Sequence, residues 1–141
     1  MHNMAPYPIQ YQGKKWLTSE ALFQSMRFVD NTIIEEIRNQ TNPMRAKMTS
    51  KKFRAHYIVI PMSEQDIENM RTCLKLKFTQ HADLKSRLIN TNGHRIIEDI
   101  GTRRSTRDKF WGCYRINETE WVGDNMMGKL LMEMRDILLA E

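Results

Sequence analysis

The sequence predicts an α-rich α+β fold, a single domain over residues 1–141 with about five to seven helices and a few short strands. Apolar residues recur three and four apart through most of the chain, while runs rich in β-branched or aromatic residues are few and short. Pro, Asn and Gly fall between these stretches, where elements must end. At 141 residues and 40% hydrophobic, the chain is the size of one ordinary domain and can bury roughly two-thirds of its unfolded surface. One core is therefore expected.

Pro6 and Pro8 hold the start extended, and Ile9 to Gln12 alternates ahead of Gly13, which predicts a short strand and a turn. Ser19 is a good N-cap for a helix over residues 20–29 carrying Leu22, Phe23, Met26 and Val29. Asp30 and Asn31 break it. Ile33, Ile34 and Ile37 mark a second helix, and Pro43 opens a third carrying Ala46, Lys47 and Met48. Tyr57 to Ile60 reads as a buried strand or extended run ended by Pro61.

Ser63, with Glu64 and Asp66 behind it, starts the clearest helix, whose stripe is Ile67, Met70, Leu74 and Phe78. Lys77 lies within ~60° of that stripe at about 100° per residue, an uncommon place for lysine. A further helix from about Asp83 carries Leu84, Leu88 and Ile89 and stops at Asn92-Gly93. Arg95 to Ile100 reads as a short strand, and Gly101 to Asp108 as a mobile basic loop. The last helix places Met127, Leu130, Leu131, Met134, Ile137 and Leu138 on one face. Gly128 inside it costs about 1 kcal/mol relative to Ala, so a close neighbour of the backbone is expected there. The 11 methionines fall mostly on such stripes and read as core.

A formal net charge of +5 favours an anionic partner. Two locally basic stretches carry it: Lys47, Lys51, Lys52 and Arg54, then Arg103, Arg104, Arg107 and Lys109. Each is either a solvated face or a phosphate contact. No run approaches the ~18 to 20 apolar residues of a membrane span, and Met1 to Met4 lacks a charged-then-apolar pattern. The expected location is cytoplasmic. Cys73 and Cys113 sit outside any Cys-x-x-Cys spacing and read as reduced packing residues.

Common nucleophile, zinc-protease and phosphate-loop motifs are absent, and His2, His56, His81 and His94 form no helical metal pair. No metal site and no cofactor are expected. Four segments instead set polar residues beside aromatic ones: Asn3 to Ile9; Trp16 to Gln24; Leu74 to Phe78; and Asp108 to Gly112 together with Gly123 to Met132. They contain, in order, an Asn with Pro8-Ile9, Ser19-Glu20 with Gln24, Lys77-Phe78, Trp111-Gly112, and a Gly123-x-Asn125-x-x-Gly128-x-x-Leu131-Met132 ending. In this order and spacing they resemble the NADAR (NAD and ADP-ribose), or YbiA-like, N-glycosidase family over nearly the whole chain.

The resemblance implies a YbiA-like fold and hydrolysis of N-glycosidic bonds to ribose. The first substrate class it implies is ADP-ribose on guanine in nucleic acid, with DNA or RNA touched by the basic segments. The second is a small ribosylated nucleotide, such as a phosphoribosylated riboflavin-pathway intermediate. A non-catalytic module that binds ADP-ribose or nucleic acid is the reading from another class; acids in an anion pocket argue against it. Breaking the C1′–N bond builds positive charge on the sugar, so a fixed carboxylate lowers the barrier and a donor neutralises the leaving nitrogen.

Glu20, at a helix start beside Trp16 and Phe23, fits the carboxylate, or else simply complements the helix dipole. Asp108 is the second candidate, or else a loop acid neutralising arginines; Glu98 and Asp124 are weaker ones. Lys77 is the third catalytic candidate: a Schiff-base nucleophile, a phosphate clamp, or a snorkelling lysine with a packed stem. For substrate binding the candidates are Asn3, Gln24, Lys47, Trp111 and Asn125. Gln24 shares the Glu20 face. Lys47 lies in a Pro-x-x-Ala-Lys element, and its alternative is an exposed helical lysine. Trp111 is either a stacking platform or core, and Asn125 either a substrate contact or the N-cap of the last helix. Two departures from the family pattern stand out: Ala21-Leu22 replaces an aromatic pair, and a tryptophan is missing near Phe53 to Tyr57, where Tyr57 can substitute.

Overall fold

The computed structural model describes residues 7–141. It has seven α-helices, one 3-10 turn and two antiparallel two-stranded sheets among these residues, in agreement with the α-rich α+β expectation. The chain gathers into two compact units that divide after Leu84. None of its described helices is long and apolar enough to cross a membrane.

The first unit begins with a hairpin of β1 (Ile9–Tyr11) and β2 (Lys14–Trp16), registered Ile9 to Trp16. Its two turn residues, Gln12 and Gly13, both have positive φ (50° and 76°), which matches the twist of the flanking strands. Then follow α1 (Ser19–Ser25), α2 (Asn31–Arg38), α3 (Pro43–Lys52), the 3-10 turn Arg54–His56 and α4 (Glu64–Gln80). Helix α1 is the hub: it packs on α2, α3, α4 and β2. Every one of its residues is buried, the polar Glu20 and Gln24 included, so it has no solvent-facing side.

Several boundaries differ from expectation. Thr18, not Ser19, caps α1, its side chain accepting from Ala21 N at 3.1 Å, and the helix ends at Ser25, leaving Val29 72% exposed. Asp30 and Asn42 cap α2 and α3 in the same way. Tyr57 to Ile60 is not a strand. Its one ladder-like bond runs from Ile58 N to Arg27 O, and only Val59 of its apolar residues is buried. Ile58 and Ile60 face water, and no strand among the described residues pairs with this run.

Helix α5 (Ala82–Ile89) spans the division, burying Leu84 and Leu88, and the turn after it uses Gly93 at φ 85°. The second unit adds α6 (Thr106–Trp111), the hairpin β3 (Tyr114–Arg115) and β4 (Trp121–Val122), and α7 (Met126–Leu139). Arg95 to Ile100 is extended but pairs only through one bridge, Asp99 to Cys113, so it is no strand. The presumed mobile loop ends in α6: Ser105 caps that helix and Asp108 stands in its first turn. The last helix follows its predicted stripe, except that Ile137 is half exposed. Met70, Met127 and Met134 join the core, whereas Met44 and Met48 are exposed.

Candidate active site

In the first unit a line of polar side chains is buried inside the packing of α1 on α4. Glu20, the second residue of α1, is 5% exposed and stands in the first turn, where unpaired N–H groups and the positive helix end favour a carboxylate. It faces α4. The Cys73 thiol there is pushed well above its ordinary range, first by burial and then by the negative charges of Glu20 and Asp66. One turn beyond Cys73, Lys77 is fully buried, with its Nζ 5.9 Å from the centroid of the Tyr7 ring. A snorkelling lysine would show its amine to water. Lys77 shows none, and that alternative is overturned.

Gln24 stands one turn from Glu20, and its Nε2 donates to Glu20 Oε1 at 2.9 Å. Its own Oε1 accepts from Arg27 Nη1 at 3.3 Å. Arg27 in turn grips Asp66 through two parallel bonds, Nε to Oδ1 at 2.9 Å and Nη2 to Oδ2 at 2.8 Å. Both partners are buried, and the guanidinium lies 5.0 Å from the Phe23 ring centroid and 5.4 Å from that of Tyr57. Burial alone would lower the Arg27 pKa, but the hydrogen bond and charge of Asp66, with Tyr57 adding to them, raise it, so the guanidinium stays charged. Tyr57 is fixed by a bond between its hydroxyl and Ser50 Oγ at 3.1 Å.

Neither Arg27 nor Asp66 was among the sequence candidates. A signal existed: Glu20, Gln24 and Arg27 are spaced four and three apart, one face of a helical turn, although α1 itself ends two residues before Arg27. Asp66 was masked by its position in a first helical turn, where an acid has an ordinary explanation.

The remaining candidates separate by unit. Lys47 is half-buried on α3 of the first. Asp108, Trp111 and Asn125 belong to the second, and Asn3 lies outside the described residues. Asp108 takes 2.6 Å from Ser105 Oγ, gives its backbone N–H back to that oxygen at 3.0 Å, and pairs with Arg103 at 3.5 Å. Trp111, half-buried, meets Phe110 edge-on at 5.0 Å. Asp124 N donates to Lys109 O and Asn125 N to Gly112 O, so the two parts of the fourth motif segment do meet.

Asn125 occupies the N-cap position of α7 in left-handed conformation, φ 54°, but its side chain makes no cap bond. It accepts from Glu98 N at 2.9 Å and donates to Ile96 O at 3.0 Å instead. That clamp explains Gly128: a Cβ there would collide with the Asn125 amide and the Ile96 carbonyl. In the basic stretch, Arg103 Nε donates to Ile100 O, and Arg104 bonds the carbonyls of Gly101 and Arg103 with its guanidinium 3.5 Å over Tyr114. Among the described residues no group of three or more His, Cys, Asp or Glu converges as metal ligands.

The family model described as the NADAR domain matches residues 1–139. The chain belongs to the NADAR domain family. The N-glycosidase YbiA of Escherichia coli (strain K12) is 36% identical over 143 residues, covering 99% of this chain and 81% of that protein. The N-glycosidase Npun_R5314 of Nostoc punctiforme is 28% identical, covering 95% and 81%. The NMR structure of E. coli YbiA superposes with a TM-score of 0.79 at 33% identity, covering 98% of this chain and 76% of that one. This NADAR chain therefore shares the YbiA fold, and its kinship is with N-glycosidases, enzymes of the hydrolase class.

Proposed function

We propose that this N-glycosidase-type hydrolase removes ADP-ribose from guanine bases of nucleic acid. The observation that carries it is the buried carboxylate of Glu20, held by Gln24 on a helix packed against the one that buries Lys77. As the bond from C1′ to the guanine nitrogen breaks, its electron pair leaves with the nitrogen, which takes a proton. A fixed carboxylate stabilises the positive charge left on the sugar, and water closes on C1′ and loses its proton. Lys77 serves as nucleophile or as phosphate clamp, Asp108 as the second acid, and Asn3, Lys47, Trp111 and Asn125 as substrate contacts. The unbridged cysteines support a reducing compartment, hence the cytoplasm.

A small ribosylated substrate, such as a phosphoribosylated riboflavin-pathway intermediate, is the second reading. One observation favours it: Arg103 and Arg104 use donors on their own loop, leaving fewer for a polynucleotide backbone. Incubating the protein with DNA carrying ADP-ribosylated guanine, and separately with the riboflavin intermediates, decides by mass spectrometry of the released sugar phosphate. Glu20→Gln should lower kcat by about 10²- to 10³-fold with KM little changed, by analogy with lost charge-stabilising groups. A fully active Glu20→Gln enzyme would refute the mechanism.

A further inference from the structure

We propose that Arg27 and Asp66 are positioning residues that set the Glu20 carboxylate through the amide of Gln24; this rests on the role given to Glu20 above. Arginine offers only donors, and its planar fork is oriented as soon as two of them are committed. Asp66 commits them, at 2.9 and 2.8 Å, and the Phe23 and Tyr57 rings stand against the guanidinium. The remaining Nη1 points to Gln24 Oε1 at 3.3 Å.

That contact decides which way the amide faces. With its oxygen toward a pure donor, its nitrogen must face Glu20, where the bond is 2.9 Å. A flipped amide would set donor against donor at Arg27 and acceptor against acceptor at Glu20, all of it buried, where unmatched polar groups are most costly. Asp66 is itself anchored, accepting from Met62 N at 2.9 Å. The orientation thus runs from the loop before α4, through an ion pair and an amide, to the reacting carboxylate.

An ion pair that only joined α1 to α4 would act on stability and not on turnover. Arg27→Lys keeps the charge beside Asp66 but loses the fork. With ADP-ribosylated guanosine as substrate, it should lower kcat about 10-fold or more with KM within about 2-fold, because small misplacements of a catalytic group are expensive. In a Gln24→Met background, already slow, the same change should alter kcat less than about 2-fold, since the route to Glu20 is cut. Equal losses in both backgrounds, or a loss carried by KM alone, would overturn the proposal.

Should Arg27→Lys fold poorly, Asp66→Asn takes its place with the same expected pattern. A second readout needs no turnover: exchange of the Gln24 side-chain amide protons, followed by NMR and assigned by their loss in Gln24→Met. They should exchange slowly in the parent and about 10-fold faster in Arg27→Lys, while backbone amides of α1 and α4 keep their protection. Unchanged side-chain exchange overturns the relay whatever the activity. A parent inactive on every ribosyl substrate, with the NMR response present, overturns the functional assignment and leaves the relay standing.

Discussion

Replacing Asp66 by alanine should remove about 4 kcal/mol of stability, and the structure shows where that figure arises. The Asp66 carboxylate accepts three bonds, two from Arg27 at 2.9 and 2.8 Å and one from Met62 N at 2.9 Å. Side-chain exposures of the ion pair are 5% for Arg27 and 0% for Asp66, so water does not screen it. Without the carboxylate a guanidinium stays buried and uncompensated, which typically costs about 3–5 kcal/mol. Met62 adds to this: its φ of 66° is strained for a non-glycine residue, and Asp66 holds it there. Met62 is only half-buried, so water can replace its lost partner and the sum stays near the middle of that range. Against a total of roughly 5–15 kcal/mol this is a large fraction, about 10–15 °C in melting temperature for a chain of this size. Urea titration followed by circular dichroism measures it. Arg27→Met combined with Asp66→Leu removes both charges and should fall within about 2 kcal/mol of the parent. An Asp66→Ala cost below about 1.5 kcal/mol, or a double variant no more stable than the single one, would refute the assignment of a buried, mutually dependent pair.

Other outcomes follow from named contacts. If Lys77 clamps phosphate, Lys77→Arg should retain much of the activity; if it forms a Schiff base, arginine cannot replace it and borohydride during turnover should trap a sugar adduct, located by peptide mass spectrometry. With a polynucleotide substrate, Arg103, Arg104 and Arg107 changed together to Ala should flatten the salt dependence of binding by roughly one unit of slope per lost phosphate contact; identical slopes remove the loop from the interface. Gly128→Ala should destabilise the protein, reversing the gain of about 1 kcal/mol that alanine normally brings to a helix interior, because the Asn125 amide and Ile96 carbonyl occupy the space of its Cβ; thermal melting reads the sign.

What the sequence made legible depended on whether the deciding interaction was local. The cap at Ser63, the proline opening of α3 and the stripe of α7 were readable, because each is settled within a few residues, whereas α5 ends at Ile89, ahead of the expected stop at Asn92-Gly93. Tyr57 to Ile60 misled because strand propensity needs a partner strand, and only Arg27 O lies alongside. Ser105 and Asp108 make a capping pair that was visible in the letters, yet the surrounding arginines and glycine suggested a loop. In the candidate site, Glu20 and Gln24 were readable from one helical face, and Arg27 continued their spacing, whereas its pairing with Asp66 joins residues 39 apart and is not marked by anything local.

The two carboxylates singled out from sequence differ in what the fold has done with them. Asp108 closes on itself: it receives from Ser105 Oγ, returns its own N–H to that oxygen, and lies beside Arg103, so its charge is absorbed by a helix start and a neighbouring cation. A carboxylate so engaged must release Ser105 before it can serve a substrate fully. Glu20 accepts from an amide whose direction is dictated from behind, by a guanidinium locked on Asp66. Its support reaches further inside the unit, beyond its own turn of chain. Preorganisation of that kind is what stabilises developing charge without reorganisation at the moment of reaction. The proposed relay would give the ionic pair a role in a core where apolar residues of similar volume are often as stable. This physical ground supports the proposal that Glu20, and not Asp108, is the main charge stabiliser.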